Sequence, residues 1–514
     1  MSKFKYPLLA LASVACAALA GMAYEGYDRS VKLYKAVSSP QLSKFELAAN
    51  KLGFSSPVQQ EALLTIFYLA GYFKSEKLWQ DLVNFNKRDN PVDIFSSMEK
   101  VMIKAGANQD DPSKFNAGLL RKGLFANVEI YDSQDIEDWL LYVAQNAFNR
   151  KIGEERYELT NKDWMVKHQA LYIEQAQKLG LIDEIVPNYE KYDKVWIAGA
   201  SRIGLLARII YYDQLIAKQA DLVQGNVLVL AGQRPLWAEI DGINPETYQK
   251  LFQAWQGDSD INNLKVFLPI GEDLGRIEEG KKYIQALAES YGIKLNPDKP
   301  FIEYTKETAP QGYFAERTYP NYASLEQKKL TESLMAADLG QKFLKGKAKL
   351  IDTQSGAGGI RPDTAATARD AAESLIQKIL KEKLPPELDQ QKKFTILLVS
   401  NNPYIERQTI ATQREVDKLL VTSKLDQQGY SIKIDGVGFR STQDVATIHS
   451  ELAALSAEKY KNSHPAEPVI DSFRHQINEL LSQTRNYKEV GEFPGTSSLE
   501  SLIGSFEDVF DHWH

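Results

Sequence analysis

Near residue 188 the hydrophobic period of the chain changes, and this change constrains the fold more than any other feature. Upstream, apolar residues recur at helical spacing. Downstream, short apolar runs alternate with helical patterns, the order that a parallel sheet with crossover helices requires. The runs are 195–198, 227–231, 349–352, 395–400 and 431–434, with a further candidate at 266–269. Helical patterns lie between them at 203–218, 245–255, 277–291, 364–381 and 407–420. The reading is an α/β fold over residues 188–440, a Rossmann-like mainly parallel sheet flanked by helices. Residues 296–321 are rich in proline and aromatics and too long for an ordinary connection, so an insertion is expected near 296–345.

Upstream of the change, residues 24–187 read as an all-helical domain. Ser56-Pro57 and Asn90-Pro91 each open a helix in cap-then-proline order, and helical patterns follow at 135–148 and 160–179, the latter ended by Gly180. Residues 441–514 return to helix. A chain of 514 residues has room for such separate cores.

The extreme N-terminus carries Lys3 and Lys5, then an uncharged, alanine-rich run over 6–24 with small residues at Ala18, Ala20, Gly21 and Ala23. That order predicts a signal peptide at 1–23 and a periplasmic or secreted product. An inner-membrane anchor over 6–24 is the alternative, weakened by the alanine content. Cys16 is the only cysteine, so the processed chain forms no disulfide, and Ser13-Val14-Ala15 is a poor approach to acylation of Cys16.

Several chemistries are disfavoured. The formal net charge is −7, without the basic excess that phosphate backbones require, so nucleic acid is not an expected partner. The six histidines are scattered, including His168 on a helix and the terminal pair at His512 and His514, and no metal site is expected. There is no Gly-x-Ser-x-Gly elbow and no lysine of the phosphate-loop type.

In open parallel sheets ligands bind beyond the carboxyl ends of the strands, so the turns there hold the candidate residues. These are Gly199, Ser201 and Arg202 after the first run, Gly232, Gln233 and Arg234 after the second, Thr353, Ser355, Gly358, Arg361 and Thr364 after the third, and Asn401 and Arg407 after the fourth. Glycines admit a phosphate close to the backbone, helix N-termini offer free amides, and an arginine accompanies each turn. The bland alternative is that each arginine pairs with a nearby carboxylate, Asp352, Asp363, Glu239 or Glu406. An NADP-dependent oxidoreductase is a lesser reading. The turn from Gly199 to Gly204 is a partial fingerprint and Arg234 suits a 2′-phosphate, but no Tyr-x-x-x-Lys pair follows Gly204. No motif names a cofactor or a reaction.

The segment from Ile396 through Val399-Ser400-Asn401-Asn402-Pro403-Tyr404 to Arg407, with Arg361-Pro362-Asp363-Thr364-Ala365-Ala366-Thr367 upstream, resembles the SanA/ElyC/YdcF family of bacterial envelope-associated α/β domains. The resemblance covers residues 189–440 at most. It implies an envelope setting and a Rossmann-like domain of unsettled activity. Tyr404 stands where the family has histidine, Pro403 where it has an aromatic, and Ala366 and Thr367 where it has Glu and Asn; an activity built on those groups would be lost here. Two hypotheses follow: a domain that binds or acts on an anionic phosphate-bearing small molecule, or a non-catalytic protein that contacts other envelope proteins.

Overall fold

Five of the apolar runs form one all-parallel sheet in the computed structural model: β1 (Lys194–Ala198), β2 (Val227–Gly232), β3 (Ala348–Thr353), β4 (Lys393–Asn401) and β5 (Ser431–Phe439). The residues described are 42–74, 91–126, 136, 140, 159–223, 227–234, 236, 241, 274–290, 331–344, 348–353, 362–381, 392–441 and 443–463. The N-terminal segment at 1–24, the run at 266–269, the helical pattern at 245–255, nearly all of that at 135–148, the stretch 296–321 and the tail beyond 463 lie outside them.

Strand order is β3-β2-β1-β4-β5. Val195 lies opposite Val227 on one side and Leu397 on the other, which fixes the centre of the sheet at β1. Side chains alternate between two cores, as the two-residue period of a strand demands. Val195, Ile197, Val229 and Val399 face α7 (Arg202–Lys218), α8 (Leu274–Ser290) and α9 (Glu332–Phe343). Trp196, Ala198, Leu230 and Leu398 face α10 (Thr364–Lys381) and α11 (Ile405–Thr422). Because both faces are covered, the middle positions of the central strands are apolar on both sides, and so the sequence shows runs rather than alternation. Each such side chain fully buried contributes roughly 1.5–3 kcal/mol.

β5 extends beyond the expected 431–434 to Phe439, through Asp435-Gly436-Val437-Gly438. Glycines in that run suggest a break, but here they mark close approach. A Cβ at Gly438 would lie 2.2 Å from the Ser400 carbonyl oxygen, and one at Gly436 would meet Thr409 of α11. Asp435 is the buried charged residue of the strand. It accepts bonds from the Asn188 backbone N–H at 2.9 Å, the Asn188 side-chain amide at 2.6 Å and the Tyr192 hydroxyl. The segment leading into β1 is thereby clamped to the sheet.

Before β1 the described elements are helical: α1 (Lys44–Lys51), α2 (Pro57–Leu69), α3 (Pro91–Lys104), α4 (Ala117–Gly123), α5 (Asp163–Lys167) and α6 (Gln169–Lys178). Ser56 and Gln59 make a capping box with Pro57 at the first helical position, as the sequence predicts. The pattern at 160–179 is two helices, because His168 leaves helical geometry between them. Gly180 closes the second at φ +79°, with Leu181 N–H bonded to Ala176 O at 3.0 Å. α12 (Val445–Ser463), from the helical segment after β5, contributes Ile448, Leu452 and Leu455 to the same core as Phe45, Leu64 and Tyr172. Helices from both ends of the described chain therefore share one core beside α11.

Candidate functional site

Every strand of a parallel sheet ends on the same edge, and this order reverses direction between β1 and β4, the place where such sheets receive ligands. The turns after β1 and β4 are therefore neighbours. After β1, the turn Gly199-Ala200-Ser201 leads into α7; after β4, Asn402-Pro403, joined by a cis peptide bond, leads into α11. Neither Ser201 nor Tyr404, the residues at the two helix starts, supplies a side-chain cap.

Arg208 joins the two turns. Its Nε donates to Asn401 Oδ1 at 2.9 Å, and its Nη1 donates to the carbonyls of Ala198 at 2.8 Å and Gly199 at 2.6 Å. It is buried in α7 within the run Leu205-Leu206-Ala207-Arg208-Ile209-Ile210, and an arginine amid such residues is the signal that marks it. Gly199 has no space for a side chain, since a Cβ would sit 2.4 Å from the Leu230 carbonyl and 2.5 Å from Glu332 Oε1.

The turn after β2 is held from two directions. The Gln233 backbone N–H donates to Thr353 O at 2.9 Å and its side chain to Asp352 Oδ1 at 2.6 Å. A Cβ at Gly232 would lie 2.8 Å from Pro362, which places the start of α10 over this turn. Arg234, 3% exposed, donates Nη1 and Nη2 to Asp241 at 3.0 and 3.1 Å and Nε to Glu332 at 2.9 Å. Burial works against the Arg234 charge, but Asp241 and Glu332 more than reverse that and hold its proton above the ordinary range. Arg202 donates its backbone N–H to the same Asp241 at 3.1 Å and stacks its guanidinium 3.3 Å from the Tyr283 ring centre. Burial lowers the Arg202 pKa, opposed by Tyr283, Asp338 and Asp241.

Arg407 goes elsewhere. It pairs with Glu451 of α12, which is fully buried, and lies 3.5 Å from Thr364 Oγ1. Asn401 is tied to Arg208 and to the Asn402 carbonyl, and Asn402 donates to the carbonyls of Gly180 at 3.1 Å and Asp183 at 2.5 Å. The segment after α6 thus meets the carboxyl edge at β4. Of the candidates, the structure joins Gly199 to Asn401, Gln233 to Thr353, Thr364 to Arg407, and Arg202 to Arg234 through Asp241. Ser355, Gly358 and Arg361 lie outside the described residues.

The carboxylates that pair with Arg234 and Arg407 are not the four that the sequence suggests. Asp352 bonds Gln233, Asp363 caps α10 through the Ala366 N–H at 2.8 Å, and Glu406 pairs with Lys459 at 2.7 Å; Glu239 is outside the described residues. Asp241, Glu332 and Glu451 do the pairing, and periodicity gives no means of foreseeing them. The fork of Arg234 that a 2′-phosphate of NADP would need is engaged by Asp241. His449, buried in the helical core, sits 3.1 Å from the Tyr172 hydroxyl and edge-on to Trp164, a core contact rather than part of the strand edge.

Among the described residues no group of His, Cys, Asp or Glu is placed to hold a metal, and no helix is long and apolar enough to cross a membrane. Compared with protein-family models, curated proteins and solved structures, the chain matches none.

Proposed function

We propose that this is an exported, envelope-associated protein in which an all-helical domain precedes a Rossmann-like domain, and that the latter binds an anionic, phosphate-bearing small molecule between the turns after β1 and β4. The observation that carries this reading is the order β3-β2-β1-β4-β5, with Arg208 fastening the two turns at its reversal. α11 starts there without a side-chain cap, so its first-turn amides are suited to an anion, whereas the first amide of α7 is taken by Asp241. The resemblance to the SanA/ElyC/YdcF family supports the envelope setting. A non-catalytic role in contacting envelope proteins is the second reading, and the ion pairs of Arg234 and Arg407 favour it, because paired guanidinium groups offer less to a ligand.

A melting-temperature screen of inorganic phosphate, nucleotides and phosphorylated envelope precursors separates the two. A ligand that binds only the folded state raises Tm. Arg361→Ala should weaken that ligand by about 1.5–3 kcal/mol, the worth of one charge-assisted bond, while leaving the unliganded Tm near that of the natural chain. If no phosphate-bearing compound raises Tm, the ligand reading falls; an equal response of Arg361→Ala removes Arg361 from it.

The export proposal is checked on protein from the native host. N-terminal sequencing should begin near Gly21 or Tyr24, and an intact Met1 in the membrane fraction would replace the signal peptide with an anchor.

A further inference from the structure

The amino edge of the sheet, at the far end of the strands from the turns considered so far, gathers lysines from three elements. Lys194 opens β1, and Lys349 is the second residue of β3. Lys349 lies level with Leu228 of β2, which lies level with Trp196 of β1, and Lys194 is two residues before Trp196. Residues level across parallel strands share a face, and so do alternate residues of one strand, so both lysines lie on the face that Trp196 turns to α10 and α11. Strand spacing and rise put their Cα atoms roughly 12 Å apart. α10 starts over Gly232 at the carboxyl edge and returns to the amino edge, where Lys378 stands in its last turn.

Lys194 is half-buried, and Lys349 and Lys378 are exposed. None of the three makes an ion pair among the described residues. Lys191, just upstream, does pair, with Asp221 at 3.3 Å. Burial lowers the Lys194 pKa, the Lys378 charge lowers it further, Asp193 opposes the change and Lys349 adds to it. Asp193 is committed toward β4, its Oδ2 accepting from the Thr395 N–H at 2.7 Å and the Thr395 hydroxyl at 3.2 Å. The C-terminal end of α10 also favours cations, but a helix end carries only about half a charge. One carboxylate and that half charge leave three ammonium groups unbalanced, in a chain whose net charge is −7.

We propose that Lys194, Lys349 and Lys378 form an anion site at the amino edge of the sheet, and that its ligand is a multiply charged phosphate group. A dianion comes closer to balancing the cluster than a carboxylate does. Lysine meets phosphate as a point charge, so three ammonium groups from separate elements can converge on one group without the planar geometry that an arginine fork imposes. The site is separate from the ligand proposed between the turns after β1 and β4, and neither depends on the other. A soluble phosphate ester and a lipid headgroup share the chemistry it recognises.

Pyrophosphate is the probe, with sodium chloride at matched ionic strength as the control. It should raise the Tm of the full chain saturably. In calorimetric titration Lys194→Met should weaken it by about tenfold or more, the equivalent of one charge-assisted bond, and Lys194→Arg should restore binding. Without pyrophosphate Lys194→Met should melt at or above the natural chain, because a half-buried charge among like charges is gone. Where it melts lower, Lys378→Gln, at an exposed position, gives the same reading. Arg361→Ala should leave the lysine-dependent response intact, which separates this site from the carboxyl edge. Co-sedimentation with vesicles of phosphatidylcholine, with and without phosphatidylglycerol, identifies the source. A preference for the anionic vesicles that Lys194→Met and Lys378→Gln remove assigns the site to a lipid headgroup, and pyrophosphate binding without that preference assigns it to a soluble phosphate. Absence of both, or a response that neither lysine variant changes, would overturn the site.

Discussion

Glu451→Gln should destabilise the protein by about 3–5 kcal/mol, the range for removing one partner of a buried ion pair. Glu451 is 0% exposed and the side chain of its partner Arg407, on the first turn of α11, is 13% exposed. Burial works against the Arg407 charge, and Glu451 more than offsets it, with Glu458 and Tyr404 adding to the effect. Glutamine keeps the shape and loses the charge, so the guanidinium is left in the interior with a weaker partner. Glu458 tempers the loss only in part, since it serves Arg414 at 2.6 Å. The value should therefore fall toward the lower end of the range. Replacing the pair together, Arg407→Met with Glu451→Leu, should recover most of the loss, because two buried charges and their desolvation are removed at once. Urea denaturation reads both results. A single variant within about 0.5 kcal/mol of the natural chain, the usual spread of harmless surface changes, would mean that Arg407 reaches solvent without Glu451.

The same pair shows where sequence reading stops. The strands were legible because a central parallel strand is apolar on both faces, and Val195 to Ala198 or Leu397 to Val399 can be little else. Helix α10 was legible to its end residues, Thr364 and Lys381, from its apolar spacing between a proline turn and a polar stretch. The second half of β5 was not, because Gly436 and Gly438 read as breakers until the approach of Thr409 and Ser400 explains them. The turns after β1, β2, β3 and β4 were legible as one edge, since a parallel sheet leaves no other arrangement. The roles of the arginines within them were not. Arg407 was expected to point to the edge, but its partner stands on α12, a helix contributed after β5, and Glu332 reaches Arg234 from α9, although Asp241 lies only seven residues beyond Arg234. Long-range pairing of charges has no period, so a single sequence carries no trace of it. Arg208 is different: it was not singled out, although a charged residue within an apolar helix face has to find buried acceptors, and that signal could have found it.

Arg208→Met should produce the other large effect, about 3 kcal/mol or more, and should damage the edge as well as the fold. Methionine fills a similar length and packs among Leu205, Ile209 and their neighbours, so the loss of volume is small. What disappears is the set of donors to Asn401 Oδ1 and to the carbonyls of Ala198 and Gly199. An acceptor left buried without a donor costs about 1–3 kcal/mol, and three are affected together, against which the variant gains by no longer burying a charge. The acceptors outweigh that gain if water does not reach them. Arg208→Lys tests the geometry, because an ammonium can serve a point but not the three acceptors that the fork spans, and its stability should lie between those of the natural chain and Arg208→Met. The turn after β1 and the turn after β4 would then no longer be held together. Any ligand that raises the Tm of the natural chain should raise that of Arg208→Met less, even though Arg208 itself has its donors turned inward to the backbone. A stability loss with an undiminished ligand response would place the site away from the reversal between β1 and β4.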